Sequence, residues 1–358
     1  MFTPRCLPIL IGSLPLTDHS EAVKLLLSEV PKIPLWPQLP KLPEEGMVRQ
    51  FISGFPGLKE INSHYFIDTG CDDFSEQMAL FYQEYLDIEA NSELLKTSRF
   101  ALTSNTTKGF SVFLNALAQT PLAVKTLKGQ ITGPVTTGIG VKDQHDRSII
   151  YDDDLRDMLI KLLSLKARWQ IGELKPYTNG APPIIFIDEP GIVSFGSSAF
   201  LGITKEMVTE AVSEVIEAIQ GDGGLAGVHI CANGDWSPVL SSAADIISFD
   251  AYFYFDNFTL YKEMLTGYLQ RGGILAWGIV PTSDSDVLEK IDTDSLFNLF
   301  LQQVNVISSF GFSPKQILNQ TLIAPSCGTG SLTIELASKV IHLTSEISAK
   351  ARKHLAMI

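Results

Sequence analysis

The chain has 358 residues, of which 45% are hydrophobic and 19% are charged, and its formal net charge is -13. This composition is typical of a globular protein with a large core and excludes a disordered or fibrous chain. The negative charge argues against nucleic acid as a partner, because phosphate binding needs a basic surface. No apolar segment is long enough to cross a membrane. The four cysteines have no close pairing, which predicts reduced thiols in a cytoplasmic protein.

Short apolar runs that end in Gly, Pro, Asp or Asn alternate along the chain with segments of helical period. This alternation predicts repeated strand–helix units around a parallel sheet. Eight runs are predicted as strands: 7–12, 51–55, 124–132, 183–188, 227–231, 246–250, 273–280 and 322–325. Nine segments are predicted as helices: 20–29, 75–87, 108–119, 153–173, 205–219, 236–243, 257–269, 285–310 and 331–356. The first run follows Arg5 as a secretory leader could, but it is short and contains a proline, which favours a strand.

Eight strand–helix units predict the α/β class and a single (β/α)8 TIM-type barrel. No repeat or linker divides residues 1–358, so one catalytic domain is expected. Two segments are additional to the strands and helices of a minimal barrel. The Pro-rich segment 31–43 predicts an extra N-terminal loop, since prolines disfavour both helix and central strand. Residues 56 to about 101 predict an insertion after the second strand.

Functional groups in such a barrel come from the carboxyl ends of different strands. Several polar residues are predicted to lie at that rim. They are Ser13, Glu45, Asp188, Glu189, His229, Cys231, Asp250 and Cys327.

The pattern His229-Ile230-Cys231 places an imidazole and a thiol on one face of a predicted strand, because successive side chains alternate faces. Cys327 follows another predicted strand and supplies a third soft ligand if both strand ends face one cavity. Three such ligands with one open position is the arrangement that catalytic zinc prefers. The alternative is that all three are ordinary core residues, since unpaired cysteine is often buried.

Two carboxylates end apolar runs and have two interpretations each. Asp188 can accept a hydrogen bond from a substrate amino group, or it can cap the following segment. Asp250 can be a fourth metal ligand, an acceptor that orients His229, or a cap. The glycine-rich segments 133–138 and 327–330 can hold an anion with backbone N–H groups, although turns at the rim are the favoured interpretation.

Taken in order, these motifs resemble the catalytic carboxyl-terminal domain of the cobalamin-independent methionine synthase family. They also resemble the wider uroporphyrinogen decarboxylase and methionine synthase-like barrel superfamily. The shared segments are 11–13, 129–135, 187–190, His229-x-Cys231, 244–250 and 325–328. The resemblance implies that His229, Cys231 and Cys327 bind zinc, with Asp250 at the place of the family's fourth ligand, a glutamate. It also implies that homocysteine is bound by Ile11, Ser13, Glu45 and Asp188.

Two departures from the family concern the methyl donor. The tryptophan that supports the folate ring has no counterpart in residues 136–140, and the family's His-Ser-Pro is replaced by Pro281-Thr282-Ser283. The chain therefore looks like the short core form of methionine synthase. For that form, the expected reaction is methyl transfer from methylcobalamin, or from a methylated corrinoid protein, to the zinc-bound thiolate of homocysteine.

Three rival functions stay open from the sequence. The acceptor can be another thiol such as coenzyme M, which has no ammonium group for Asp188 to bind. A metal-free decarboxylase of the porphyrin type would need basic side chains for many carboxylates. A zinc-stabilised scaffold or corrinoid-handling protein would have a closed site with four protein ligands.

Overall fold

The computed structural model describes residues 2–61, 64–119, 123–194 and 202–358. Its strands are β1 (Leu7–Pro8), β2 (Leu58–Ile61), β3 (His64–Ile67), β4 (Lys128–Thr132), β5 (Ile184–Asp188), β6 (Leu225–Ile230), β7 (Ile246–Asp250), β8 (Ile274–Val280) and β9 (Thr321–Pro325). Seven of them form a parallel sheet in the order β1-β9-β8-β7-β6-β5-β4, whereas β2 and β3 pair antiparallel with each other. The sheet confirms the α/β class and seven of the eight predicted strands.

Helices follow the strands of the large sheet. They are α1 (His19–Glu29), α2 (Arg49–Ile52), α3 (Phe74–Ala90), α4 (Lys108–Gln119), α5 (Pro134–Gly140), α6 (Asp153–Leu174), α7 (Lys205–Gly221), α8 (Ser237–Ser241), α9 (Ala251–Thr259), α10 (Lys262–Gln270), α11 (Ser285–Lys290), α12 (Thr293–Ser308), α13 (Pro314–Asn319) and α14 (Ile334–Met357). The helix predicted over 285–310 is divided, because Asp292 accepts a hydrogen bond from the N–H of Ser295 and begins α12. Within the described ranges, no helix has the length and apolar character needed to cross a membrane.

The strand predicted over 51–55 is wrong, because Arg49–Ile52 form the short helix α2. Between β1 and β4, the sheet is bridged instead by the Pro-rich segment. Leu35 bridges Lys128 of β4, and Gln38 bridges Ser13, both in parallel fashion. Pro34 and Pro37 have no N–H to donate, which explains why the contacts are isolated bridges. The sheet therefore curls so that its two edge strands face one Pro-rich segment, consistent with a TIM-type barrel.

The strands are buried on both faces, as in other parallel sheets covered by helices. In β5, Ile185 and Ile187 pack in the layer between sheet and helices, whereas Ile184 and Phe186 point to the opposite face. That inner face holds one apolar cluster. Its members are Leu7, Ile9, Ile11, Ile33, Ile184, Phe186, Ile246, Ile274, Ala276, Leu322 and Ala324. This cluster forms the floor beneath the carboxyl ends of the strands.

Lys166 of α6 is fully buried, and its Nζ donates weak hydrogen bonds of 3.4 Å to Ser53 Oγ and to the carbonyl oxygen of Ala101. Burial lowers the pKa of Lys166 from 10.5 to about 7. Between these pH values the unfolded chain binds more protons than the folded protein, so stability should rise with pH from about 7 towards 10.5. Lys166→Met should therefore raise the free energy of unfolding at pH 7 by about 1–4 kcal/mol and flatten that rise, because it removes a buried amine that has no charged partner.

Urea unfolding at pH 7 and at pH 10 measures this effect. Lys96→Met is the matched control, because the side chain of Lys96 is 64% exposed and its substitution should change little at either pH. A Lys166→Met protein less stable than the wild type at pH 7 would contradict the assignment of a destabilising buried charge.

Candidate metal centre

The three predicted soft ligands converge at the carboxyl end of the sheet. His229 lies near the end of β6, Cys231 follows that strand, and Cys327 follows β9. One ligand atom from each residue lies within 4.8 Å of the other two. His229 is buried and both cysteines are half-buried. The donor set of one imidazole and two thiols is one that zinc favours.

Ser248 fixes the orientation of His229. It lies opposite His229 in the register of β6 and β7, and its Oγ is 2.9 Å from His229 Nδ1. The other ring nitrogen, Nε2, is buried and has no hydrogen-bond partner among the residues that the structure describes. A buried polar atom without a partner is costly. The arrangement leaves Nε2 available to a metal ion, while Nδ1 is held by a neighbour, as is usual for metal-binding histidines.

The two thiols are neighbours, with their sulfur atoms within 4.8 Å of each other. The nearby Cys327 and His229 lower the pKa of Cys231, whereas the nearby Cys231 and burial raise the pKa of Cys327. One thiolate therefore already forms easily at this position, and a cation in the cluster would favour the second. The chemistry of the pair suits a metal that binds thiolate sulfur.

If the cluster binds zinc, as the sequence predicts, Ser248→Ala should weaken that binding about 10- to 100-fold, because His229 loses the partner that holds its ring. The substitution removes one hydroxyl from the sheet interior and leaves the three ligands in place. Competition with a chromogenic zinc chelator measures the affinity. Ser242→Ala, which removes another buried hydroxyl outside the cluster, is the control. Equal zinc affinity of Ser248→Ala and the wild type would show that Ser248 does not support the site.

Asp250 lies outside the group of three ligands. It is buried at the end of β7, and its Oδ1 accepts a hydrogen bond of 2.9 Å from the N–H of Phe253. Burial raises its pKa to about 6. In the structure Asp250 caps α9, and the hydroxyl beside His229 Nδ1 is that of Ser248.

A cavity of about 310 Å³ opens beside the three ligands. All predicted site residues except Asp250 line it: Ile11, Ser13, Glu45, Asp188, His229, Cys231 and Cys327. Gln38, Pro40 and Met47 contribute to the same wall. Part of the Pro-rich segment therefore forms one side of the cavity.

Asp188 ends β5 and faces this cavity. Its Oδ1 is buried and has no hydrogen-bond partner within the described ranges. Burial raises the pKa of Asp188, and the positive charge of Lys128 opposes that shift. Sequence reasoning missed Lys128, a fully buried lysine whose Nζ donates to the carbonyl oxygen of Ile11 and, at 3.0 Å, to Gln130 Oε1. Its only sequence signal is a charged residue in the middle of a run predicted as a strand.

Ser13 and Glu45 are held by the loops at the rim. The N–H of Gly330 donates to Ser13 Oγ at 3.3 Å, and a side chain at Gly328 would collide with that hydroxyl. Glu45 accepts a hydrogen bond from the N–H of Leu39 at 2.9 Å. Both side chains therefore have fixed positions on the cavity wall.

The backbone N–H groups of the segment 133–138 bind the side chain of Glu189 rather than a separate anion. The buried carboxylate of Glu189 accepts hydrogen bonds from the N–H groups of Val135 and Thr136, at 2.8 and 2.9 Å, and from the Thr136 hydroxyl at 2.7 Å. A Cβ at Gly133 would lie 2.2 Å from this carboxyl group. Burial raises the pKa of Glu189 to about 7. Glu189 thus braces the rim and leaves these N–H groups occupied.

Comparisons with known proteins support the fold. The sequence matches no protein-family model and no curated protein. Among solved structures, a B12-independent methionine synthase from Shewanella sp. W3-18-1 in complex with selenomethionine is similar, with a TM-score of 0.56 and 14% identity over 99% of this chain and 100% of that chain. A GH20 catalytic module of the pneumococcal exo-beta-D-N-acetylglucosaminidase StrH covers 96% of this chain and 85% of its own at a TM-score of 0.41 and 7% identity, too weak a likeness for any argument. The chain therefore has a methionine synthase-like fold.

Proposed function

We propose that this protein is a zinc-dependent, cytoplasmic methyltransferase, with a single catalytic domain, that forms methionine from homocysteine. The observation that carries the proposal is the convergence of His229, Cys231 and Cys327 beside a cavity that also contains the unpaired carboxylate oxygen of Asp188. The fold of the similar methionine synthase supports this assignment.

Zinc fits the residues that are present. The buried Nε2 of His229 lacks a partner in the described structure, and the two thiols next to it are soft ligands. Three protein ligands leave a position for a substrate atom. When bound, zinc would lower the pKa of a substrate thiol and favour its thiolate form.

The chain's own residues would bind and orient the amino acid. Asp188 would accept a hydrogen bond from the substrate ammonium group, which supplies the missing partner of Oδ1. Ser13 and Glu45 would contact the same amino acid part, and Ile11 would pack against its carbon chain. These contacts would hold the substrate sulfur beside the three ligands.

The methyl donor is proposed from the sequence, where the folate-supporting tryptophan and the His-Ser-Pro of the family are replaced. By the resemblance to the short core form of methionine synthase, the expected donor is a methylated corrinoid, either methylcobalamin or a corrinoid protein. In the transfer, a lone pair of the homocysteine thiolate forms the new sulfur–carbon bond. The carbon–cobalt bond breaks with both electrons remaining on cobalt, and the thiol proton is released to solvent.

The cavity wall weighs against a porphyrin-type decarboxylase. Among the described residues that line it, none is Lys or Arg, whereas a substrate with several carboxylates needs cationic partners. Coenzyme M is a weaker candidate than homocysteine for a related reason, since a sulfonate without an ammonium group would face Asp188 and Glu45.

The test is incubation of the zinc-loaded protein with methylcobalamin and either homocysteine or coenzyme M. Loss of the methyl–cobalt absorption and mass spectrometry of the methylated thiol report turnover. Methionine formation with little reaction of coenzyme M is the expected result. Methionine formed from a methylated folate but not from methylcobalamin would refute the donor, and no methylation of homocysteine by either donor would refute the function.

A further inference from the structure

His19 and Glu45 form a buried pair at the wall of the cavity. His19 is the first residue of α1 and is 6% exposed, and Glu45 is 2% exposed. His19 Nε2 lies 2.6 Å from Glu45 Oε1, and the second carboxylate oxygen, Oε2, accepts the hydrogen bond from the N–H of Leu39. Each carboxylate oxygen is therefore held once by the protein, and each keeps a further lone pair for another donor.

The pair fixes where the Glu45 charge lies. A buried carboxylate is costly unless hydrogen bonds satisfy it, and the two donors to Glu45 come from different parts of the fold. His19 belongs to α1, whereas Leu39 belongs to the Pro-rich segment that lines the cavity with Gln38 and Pro40. Removal of the imidazole would leave the carboxylate held from one side only.

Glu45 and Asp188 line the same cavity, and no Lys or Arg among the described residues lines it with them. Lys128 acts on Asp188 and His19 contacts Glu45, but neither residue lines the cavity. The wall itself therefore presents two carboxylates and no Lys or Arg, which favours a ligand that brings a positive group. A thiol that also carries an ammonium group can donate hydrogen bonds to both carboxylates. A thiol whose only charge is negative can donate to neither carboxylate from a charged group.

We propose that His19 is a positioning residue that holds Glu45 as a second acceptor, beside Asp188, for the ammonium group of an amino-acid thiol. His19 thereby sets the preference of the site for amino-acid thiols over thiols without an amine. This inference rests on the proposed function. It goes beyond that function by assigning specificity to a residue outside the cavity lining.

The experiment compares the binding of two thiols to the zinc-loaded protein by calorimetry. L-homocysteine is compared with 4-mercaptobutyrate, which has the same carbon chain without the amino group. His19→Phe should lose about tenfold in affinity for homocysteine while its affinity for 4-mercaptobutyrate changes less than about twofold. His19→Gln should keep most of the preference, because its amide N–H can still donate to Glu45.

Two further variants make the test specific. His342→Phe removes a histidine that faces Glu346 on the surface, where the His342 side chain is 66% exposed, and should leave both affinities unchanged. Glu45→Gln keeps the shape of the carboxylate and removes its charge, and should reduce the preference about as much as His19→Phe. It also tests the proposal if His19→Phe does not fold.

The outcomes separate this proposal from the function beneath it. Wild-type protein that binds both thiols equally would overturn the proposed function and this inference together. A clear preference in the wild type that survives in His19→Phe or in Glu45→Gln would overturn this inference alone. Equal losses of affinity for the two thiols in His19→Phe, or a loss of preference in His19→Gln as large as in His19→Phe, would also overturn it.

Discussion

Cys231→Ser should reduce zinc affinity by more than about 100-fold and abolish methyl transfer to homocysteine. Loss of a partner that only supports a metal ligand already costs about 10- to 100-fold, and Cys231 is proposed as a ligand itself. A serine hydroxyl is far less acidic than a thiol and is a poor partner for zinc beside His229 and Cys327. Elemental analysis after dialysis against a chelator measures retained zinc, and methionine formation measures transfer.

Cys71→Ser is the matched control for this prediction. Cys71 is also half-buried, but it lies outside the cluster and donates a hydrogen bond to the carbonyl oxygen of Asp68. Its substitution should retain full zinc and full activity. If Cys231→Ser behaves like Cys71→Ser in both measurements, Cys231 is not a ligand and the proposed site is wrong.

X-ray absorption of the zinc-loaded protein, with and without homocysteine, distinguishes an enzyme from a zinc-stabilised scaffold. An added sulfur ligand in the presence of homocysteine is expected if one position is open to substrate. An unchanged coordination shell would indicate a site closed by four protein ligands. Asp250 does not belong to the cluster of three, which favours the open site.

The sheet could be predicted from the sequence where a run is both apolar and closed by turn residues. β5 is an example, since Ile184–Asp188 is buried throughout and ends in a carboxylate. Runs of about four to six residues do not show by period alone whether they form a strand or a helix, and part of the run 51–55 belongs to the helix α2. The bridges that residues 35 and 38 make could not be predicted. The neighbouring prolines argue against a strand, and the contacts depend on the positions of two distant strand edges.

The convergence of His229, Cys231 and Cys327 could be predicted from the geometry of parallel strands. His229 and Cys231 share a face through the alternation of a strand, and Cys327 follows from the rule that strand ends meet at one rim. Ser248 could not be predicted, since its contact with His229 depends on the register of β6 against β7. The His19–Glu45 pair is even harder to predict from the sequence, because it joins a helix and a loop through tertiary packing alone.

Asp188→Ala should lower kcat/KM for homocysteine by about 100-fold while changing the affinity for 4-mercaptobutyrate only a few-fold, because it removes the buried acceptor proposed for the ammonium group. Its Oδ1 lacks a hydrogen-bond partner among the described residues, so no hydrogen bond of that atom is lost, although the buried Lys128 loses a nearby negative charge. Initial rates with methylcobalamin and calorimetry give the two quantities. Asp292→Ala, which removes an exposed helix cap, should change neither. Equal losses with both thiols in Asp188→Ala would mean that Asp188 supports the cavity rather than recognises the amino group.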